Sequence, residues 1–397
     1  MAVSKLLQHS KDVTHHCRFA VISDPHVALP HTIWDSPNRL HLVEVSIPAL
    51  EQILERLESL EIDFLLMPGD LTQHGEPDNH HWLADRLARL PFPVYVIPGN
   101  HDFPARTFAD SKISQDEFIK IYRNFGYQES GHLPYYHRQI FPGIRLIGLN
   151  SNQLSADGRW IEGRIDVSQM EWLDRQLAAC QRDYPDDLVL AMVHHNLAEH
   201  IPHQSTHPLG QRYILPKVDQ LQKKLRDGGV KCVFTGHLHV QDITETAAAP
   251  GLHAITTGSL VAYPHPYRIL NLYGVETGEG ELGETRQQRW LAVESHRVES
   301  LPGWPDLGAV SWQWAGDHSG EFMTQLLAKS SLNLSEAEAA VYSTKIRHLW
   351  AEVSAGDRQL SFPDLPNDVR DYCENFGVRS RNNQMKFTAN HIAFRLD

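Results

Sequence analysis

Six short apolar runs, rich in Val, Ile, Leu and Phe, punctuate the first 235 residues: RFAVIS (18–23), DFLLMP (63–68), PVYVIP (93–98), IRLIGLN (144–150), DLVLAMV (187–193) and VKCVFT (230–235). Their length and their polar or Gly/Pro boundaries predict buried strands. Between them the apolar spacing becomes helical. Leu50, Ile53, Leu54, Leu57 and Leu60 share one face behind Ser46 and Pro48, which suit a helix start; Met170, Leu173 and Leu177 repeat the pattern, as do Leu221 and Leu225. This alternation predicts an α/β fold with sheet covered by helices.

After residue 250 the pattern changes. Segments 252–258, 267–275 and 286–293 read as consecutive strands, so antiparallel sheet is expected to close the first domain. An acidic, Gly-rich stretch at 276–284 reads as a solvated turn, and Pro, Gly and Trp crowd 300–320, which reads as a linker or domain boundary. Beyond it, LSEAEAAVYSTKIRHLW carries Ser335 and Glu338 as a capping box, then Val341, Ile346 and Leu349 as a buried face. NDVRDYCENFG reads as a further helix ended by Gly377. The expected division is a first domain over 15–298 and a mostly helical extension over 299–397, serving as a cap or an oligomer contact.

Composition narrows the classes. Of 397 residues, 41% are hydrophobic and 21% charged, the balance of a globular protein, and the length allows a large core. The net charge of −13 argues against stable nucleic-acid binding and against an anionic membrane surface. Four cysteines, Cys17, Cys180, Cys232 and Cys373, stand far apart with no CxxC pair, so no disulfide framework or thiolate zinc site is expected. With no signal-like apolar segment and no run near the ~20 residues of a membrane span, a cytoplasmic setting is expected. Histidine is abundant, at 25 residues.

The ends of the apolar runs are loaded with chemistry. The first ends in Asp24-Pro25-His26, the second in Gly69-Asp70, the third in Gly99-Asn100-His101-Asp102, the fifth in His194-His195 and the sixth in Gly236-His237-Leu238-His239. Sites in α/β proteins lie outside the carboxyl ends of strands. Carboxylate and imidazole donors suit Mn, Fe or Zn, and a carboxylate can bridge two ions. Other histidines, among them His41, His80, His200 and His207, read as solvated; Arg212 and Arg268 read as surface ion-pair residues, with phosphate contact as the alternative.

The ordered set D-P-H, G-D, G-N-H-D, H and G-H-L-H resembles the signature of the calcineurin-like metallophosphoesterase superfamily over roughly residues 18–275. GDLTQHG lacks the G-D-x-x-D-R-G pattern of serine/threonine phosphatases and is similar to class III cyclic nucleotide phosphodiesterases and glycerophosphodiesterases of bacteria. The resemblance implies two packed central β-sheets flanked by helices, and two divalent or mixed-valence metal ions. Asp24, His26, Asp70 and His239 would hold one ion; Asp70, Asn100, His194 and His237 would hold the other, with His195 the alternative to His194. It implies hydrolysis of a small phosphodiester, such as a 3',5'-cyclic nucleotide, by hydroxide held between the ions. His101 would be catalytic at the leaving oxygen, Asp102 would fix the His101 ring, and Gly99 would permit the turn off its strand. A phosphomonoesterase or nuclease remains the alternative, then a non-catalytic scaffold; homo-oligomerisation stays open. Asn196-Leu197 stands where prolines are expected, so the loop beside the second ion should differ in shape.

Overall fold

The structure, a computed structural model, describes residues 13–396 except 35, 38, 104–112, 156–159, 278–285, 358 and 378–389. The turn expected at 276–284 lies mostly outside them. In chain order the strands are β1 (Val13–Val21), β2 (Phe64–Met67), β3 (Val94–Val96), β4 (Tyr136–Phe141), β5 (Ile144–Gly148), β6 (Asn152–Leu154), β7 (Trp160–Gly163), β8 (Leu188–Met192), β9 (Val230–Thr235), β10 (Asp242–Glu245), β11 (His253–Thr256), β12 (Pro266–Thr277), β13 (Arg286–Arg297) and β14 (His391–Arg395). One six-stranded sheet has the order β14-β13-β12-β1-β2-β3 and the other β10-β11-β9-β8-β5-β4, while β6 and β7 pair separately. Strands β1, β2 and β3 are parallel, as are β5, β8, β9 and β11. Strand β12 joins β1 antiparallel, which accounts for the expected antiparallel closure.

Alternation along single strands builds the layers. In β8, Leu188, Leu190 and Met192 enter the main core. Val189 and Ala191 turn the other way, to Leu173 and Leu177 of the helix Val167–Asp183 and Leu221 and Leu225 of the helix Val218–Asp227. Both faces are therefore apolar, which is why this run reads as continuous rather than alternating. Leu50, Ile53, Leu54 and Leu57 of the helix Ser46–Ser59 join the main core. The result is the expected pair of packed sheets flanked by helices.

Several local expectations fail. The stretch 300–320 is not a linker throughout: Leu307–His318 is a helix, and the Asp306 carboxylate accepts the Ala309 N–H at its start. The capping box forms, with the Ser335 side chain accepting from the Glu338 N–H, but two helices follow, Glu336–Ser343 and Leu349–Ala355. Val341 is 63% exposed, whereas Ile346 and Leu349 are buried. Of the C-terminal segment, Met323, Leu326, Leu327, Leu349 and Val353 share an apolar cluster with Leu238 and Val240, and β14 returns to pair with β13. No helix among the described residues is long and apolar enough to cross a membrane.

Candidate metal centre

The carboxyl ends of β1, β2, β3, β8 and β9 bring all the sequence-selected side chains together. His239 Nε2 lies 3.0 Å from Asp24 Oδ1 and 3.4 Å from His26 Nε2. His194 Nε2 lies 3.2 Å from both Asp70 Oδ2 and Asn100 Oδ1. Asp24, His26, Asp70 and His239 offer one set of ligand atoms within 4.8 Å of one another, and Asp70, His194 and His237 offer a second. Asp70 belongs to both.

The backbone is bent hard to achieve this. Asp24, His26, Asp70, His237 and His239 have φ of +48°, +41°, +50°, +66° and +60°. Non-glycine residues rarely adopt this region, and each such residue costs of order 1–3 kcal/mol. Such strain persists where surrounding structure over-determines it, as the sandwich does here. Glycines then allow close approach. Gly99 has φ −103° and ψ −178°, an ordinary extended conformation, so the turn itself does not require glycine. A Cβ at Gly99 would instead collide with the Asp70 backbone and carboxylate, and one at Gly236 with Asp24 and Ser23.

Outward-facing nitrogens fix the imidazoles. His194 Nδ1 donates to the Pro68 carbonyl (2.8 Å) and His237 Nε2 to the Arg212 carbonyl (3.1 Å). A carbonyl only accepts, so each ring carries a hydrogen there and turns its other nitrogen into the cluster. Burial and then the His194 charge lower His237 to about 3. Burial, then neighbouring imidazoles, hold His26 well below the usual histidine range. At His194 burial acts downward, but the Asp70 carboxylate outweighs it and raises the ring to about 9. Neutral imidazoles at His26 and His237 and the protonated ring of His194 thus converge on buried carboxylates, and a bound cation would take the place of the His194 proton. The donors fit a borderline metal ion.

His101 and Asp102 divide their work differently from the expectation. His101 N–H donates to Asp70 Oδ1 (2.7 Å), and its ring Nδ1 donates to the Gln73 carbonyl (2.6 Å). Asp102 does not orient that ring. Its buried carboxylate accepts the N–H groups of Leu71 (3.1 Å), Thr72 (3.0 Å) and Gly99 (2.8 Å), tying the turn after β3 to the turn after β2. Burial, then the nearby Asp70 charge, raises Asp102 to about 7.

Sequence reasoning missed His41. Its Nε2 lies 3.0 Å from His239 Nδ1, and its ring stacks on His26 with centroids 4.6 Å apart. Lying alone in NRLHLV, at no strand end, it gave no signal. His80, His200 and His207 are buried, not solvated; His80 contacts Thr72 and Tyr122, His200 Asp242, and His207 the Leu326 carbonyl. Arg268 is fully buried, and its guanidinium donates to Thr257, Ser295 and the Thr256 carbonyl. His195 sits behind His237, its Nδ1 2.8 Å from Ser151 Oγ. Asn196 is buried and donates to Thr235 and the Gly236 carbonyl, which fixes the loop after β8.

A calcineurin-like phosphoesterase model matches residues 17–241, more than half of the chain. The chain belongs to the calcineurin-like phosphoesterase family. Curated relatives include a probable cyclic nucleotide phosphodiesterase of Synechococcus sp., 28% identical over 38% of this chain and 49% of the relative. A probable glycerophosphodiester phosphodiesterase of Arcobacter nitrofigilis is 29% identical over 34% of this chain and 41% of its own. The chain thus spans about half the length of the curated relatives it matches. Among solved structures, a dimetal phosphatase from Danio rerio aligns over 72% of this chain and 97% of that one, with 15% identity and a TM-score of 0.49. Membership in this phosphoesterase family and the clustered His and Asp donors make metal-dependent ester hydrolysis the class of chemistry to consider.

Proposed function

We propose that the chain hydrolyses small phosphodiesters at a two-cation centre. The observation that carries this reading is the position of Asp70, whose Oδ2 lies 3.2 Å from His194 Nε2 and 3.8 Å from His26 Nε2. One carboxylate thereby serves two donor sets: Asp24, His26, Asp70 and His239, and Asp70, Asn100, His194 and His237. Nitrogen and oxygen donors without thiolate suit Mn, Fe or Zn. Two such cations supply positive charge to a phosphoryl oxygen and bring the pKa of a water toward ~7.

The chain's own groups complete the chemistry. His101, with Nδ1–H held by the Gln73 carbonyl, takes up or releases a proton at Nε2 and serves the departing alkoxide. Asn100, with Oδ1 turned to His194, keeps its amide hydrogens for a non-bridging oxygen. His41 holds the outer nitrogen of His239 and so sets that ring's aim. The names of the relatives, cyclic nucleotide and glycerophosphodiester phosphodiesterases, support a small diester as substrate. The reading includes a cytoplasmic setting, supported by four buried, unbridged cysteines.

The test combines elemental analysis of the purified chain with parallel assays on bis-p-nitrophenyl phosphate, p-nitrophenyl phosphate, a 3',5'-cyclic nucleotide and single-stranded DNA. Two metal ions per chain and preference for a small diester are expected. Strict monoesterase activity overturns the substrate class, and full activity after exhaustive chelation overturns the metal centre.

A further inference from the structure

The cavity over the metal centre has a volume of about 1020 Å³ and two unlike walls. Asp70, His101, His237 and His239 belong to the sandwich side. Facing them are Phe322, on the helix Gly320–Ala328, and Trp350, on the helix Leu349–Ala355. Both positions lie outside the family-matched residues 17–241, so this wall is a feature of this chain's own C-terminal segment. The two rings are half-buried and meet edge to face, with centroids 5.0 Å apart.

The wall is anchored to the chemistry. Beneath the two rings, Met323, Leu326, Leu327, Leu349 and Val353 pack with Leu238, the residue between His237 and His239. Gln241 N–H donates to the Ser354 carbonyl at 3.0 Å, and His207 Nε2 to the Leu326 carbonyl at 3.0 Å. The volume lies at the upper end of the roughly 300–1,000 Å³ typical of sites for drug-sized ligands. A phosphoryl group with a short aliphatic alcohol leaves much of that space to water. An aromatic arm fills it and replaces that water by ring contacts. Exposed Arg212 and Lys217 line the same cavity beside Glu162 and Asp219, so its edge carries charges of both signs.

We infer that the C-terminal helices form a selecting wall, on which Trp350 and Phe322 bind a flat aromatic arm, of nucleoside size, carried by the phosphodiester. This deepens the phosphodiesterase reading and rests on it for the position of the phosphoryl group.

The test uses the full chain and measures KM on bis-p-nitrophenyl phosphate, with aryl arms, and on glycerophosphoethanolamine, with none. For Trp350→Ala and Phe322→Ala, KM is expected to rise about tenfold more for the aryl diester than for the aliphatic one, about 1.4 kcal/mol. Trp350→Phe should restore most of the preference, which a collapsed cap would not do. Equal changes on both substrates, or none, overturn the inference. Calorimetric titration with phenylphosphonate and methylphosphonate reads the wall without turnover. Tighter binding of the phenyl ligand, lost in Trp350→Ala, supports it; equal binding of both by the wild-type chain overturns it. Failure to hydrolyse any diester, with the phenyl preference intact, counts against the phosphodiesterase reading and leaves the aromatic wall standing.

Discussion

The two walls of the cavity are built by opposite means. On the sandwich side, side chains are aimed by backbone: left-handed dihedrals at five candidate ligands and carbonyls that fix ring hydrogens at His194, His237 and His101. On the helical side, Phe322 and Trp350 are placed chiefly by apolar packing, through Met323, Leu327 and Leu349, with the Ser354 and Leu326 carbonyls tying their helices to Gln241 and His207. Backbone-imposed geometry tolerates almost no substitution, because a changed side chain meets strain or a lost hydrogen bond. A packed apolar wall can be rebuilt with other residues of similar volume. On the proposed reading, reaction type and selectivity are specified by separate parts of the chain.

Four substitutions would break or sharpen this contrast. Asp70→Asn should lower kcat/KM by at least about 10³, roughly 4 kcal/mol, with loss of bound metal by elemental analysis. Leu327→Ala, at a fully buried position of the helical cluster, should cost about 2–5 kcal/mol. Hydrogen exchange should then accelerate in helices 320–328 and 349–355 but not in β8 or β9; equal acceleration everywhere would show that the two regions unfold as one.

His265, buried immediately ahead of β12, tests the pH response. Burial lowers its folded pKa from 6.5 to about 4, with its bond to the Leu260 carbonyl acting the other way. Above the unfolded value both states are neutral and nothing is lost. As pH falls from 6.5 toward 4 only the unfolded chain gains the proton, so stability drops by up to about 3 kcal/mol. His265→Asn should remove that part of the acid sensitivity in urea midpoints measured against pH. The smallest expected effect is at His41. His41→Ala should weaken metal binding about 10- to 100-fold in chelator competition, the usual result of removing the partner of a ligating imidazole. Unchanged affinity would leave His41 as packing for His26.

Legibility in the sequence follows the same division. Strand ends could be read because an apolar run terminated by Asp, His or Asn is a local pattern, and the order of these ends carried the family resemblance. His41 could not, since its role depends on a ring 198 positions away. The 300–320 stretch looked like a linker because Pro, Gly and Trp are poor helix markers, yet Asp306 caps a helix there. One helical period over 335–351 divided in two, because Ile346 and Leu349 are claimed by a core to which Val341 does not contribute. Arg268 was misread as surface because composition does not reveal that hydroxyls and carbonyls will surround a guanidinium.

Asp24 and the His237 N–H that it accepts are separated by 213 positions. Both donor sets also draw a ligand from the turn after the ninth strand, His239 or His237, so no fragment formed early in synthesis contains a complete one. A cation that the finished centre holds tightly would find only scattered, weak donors on the growing chain. Metal uptake then becomes a clock: followed by stopped flow during refolding, it would report the moment of long-range closure, after the helices have formed.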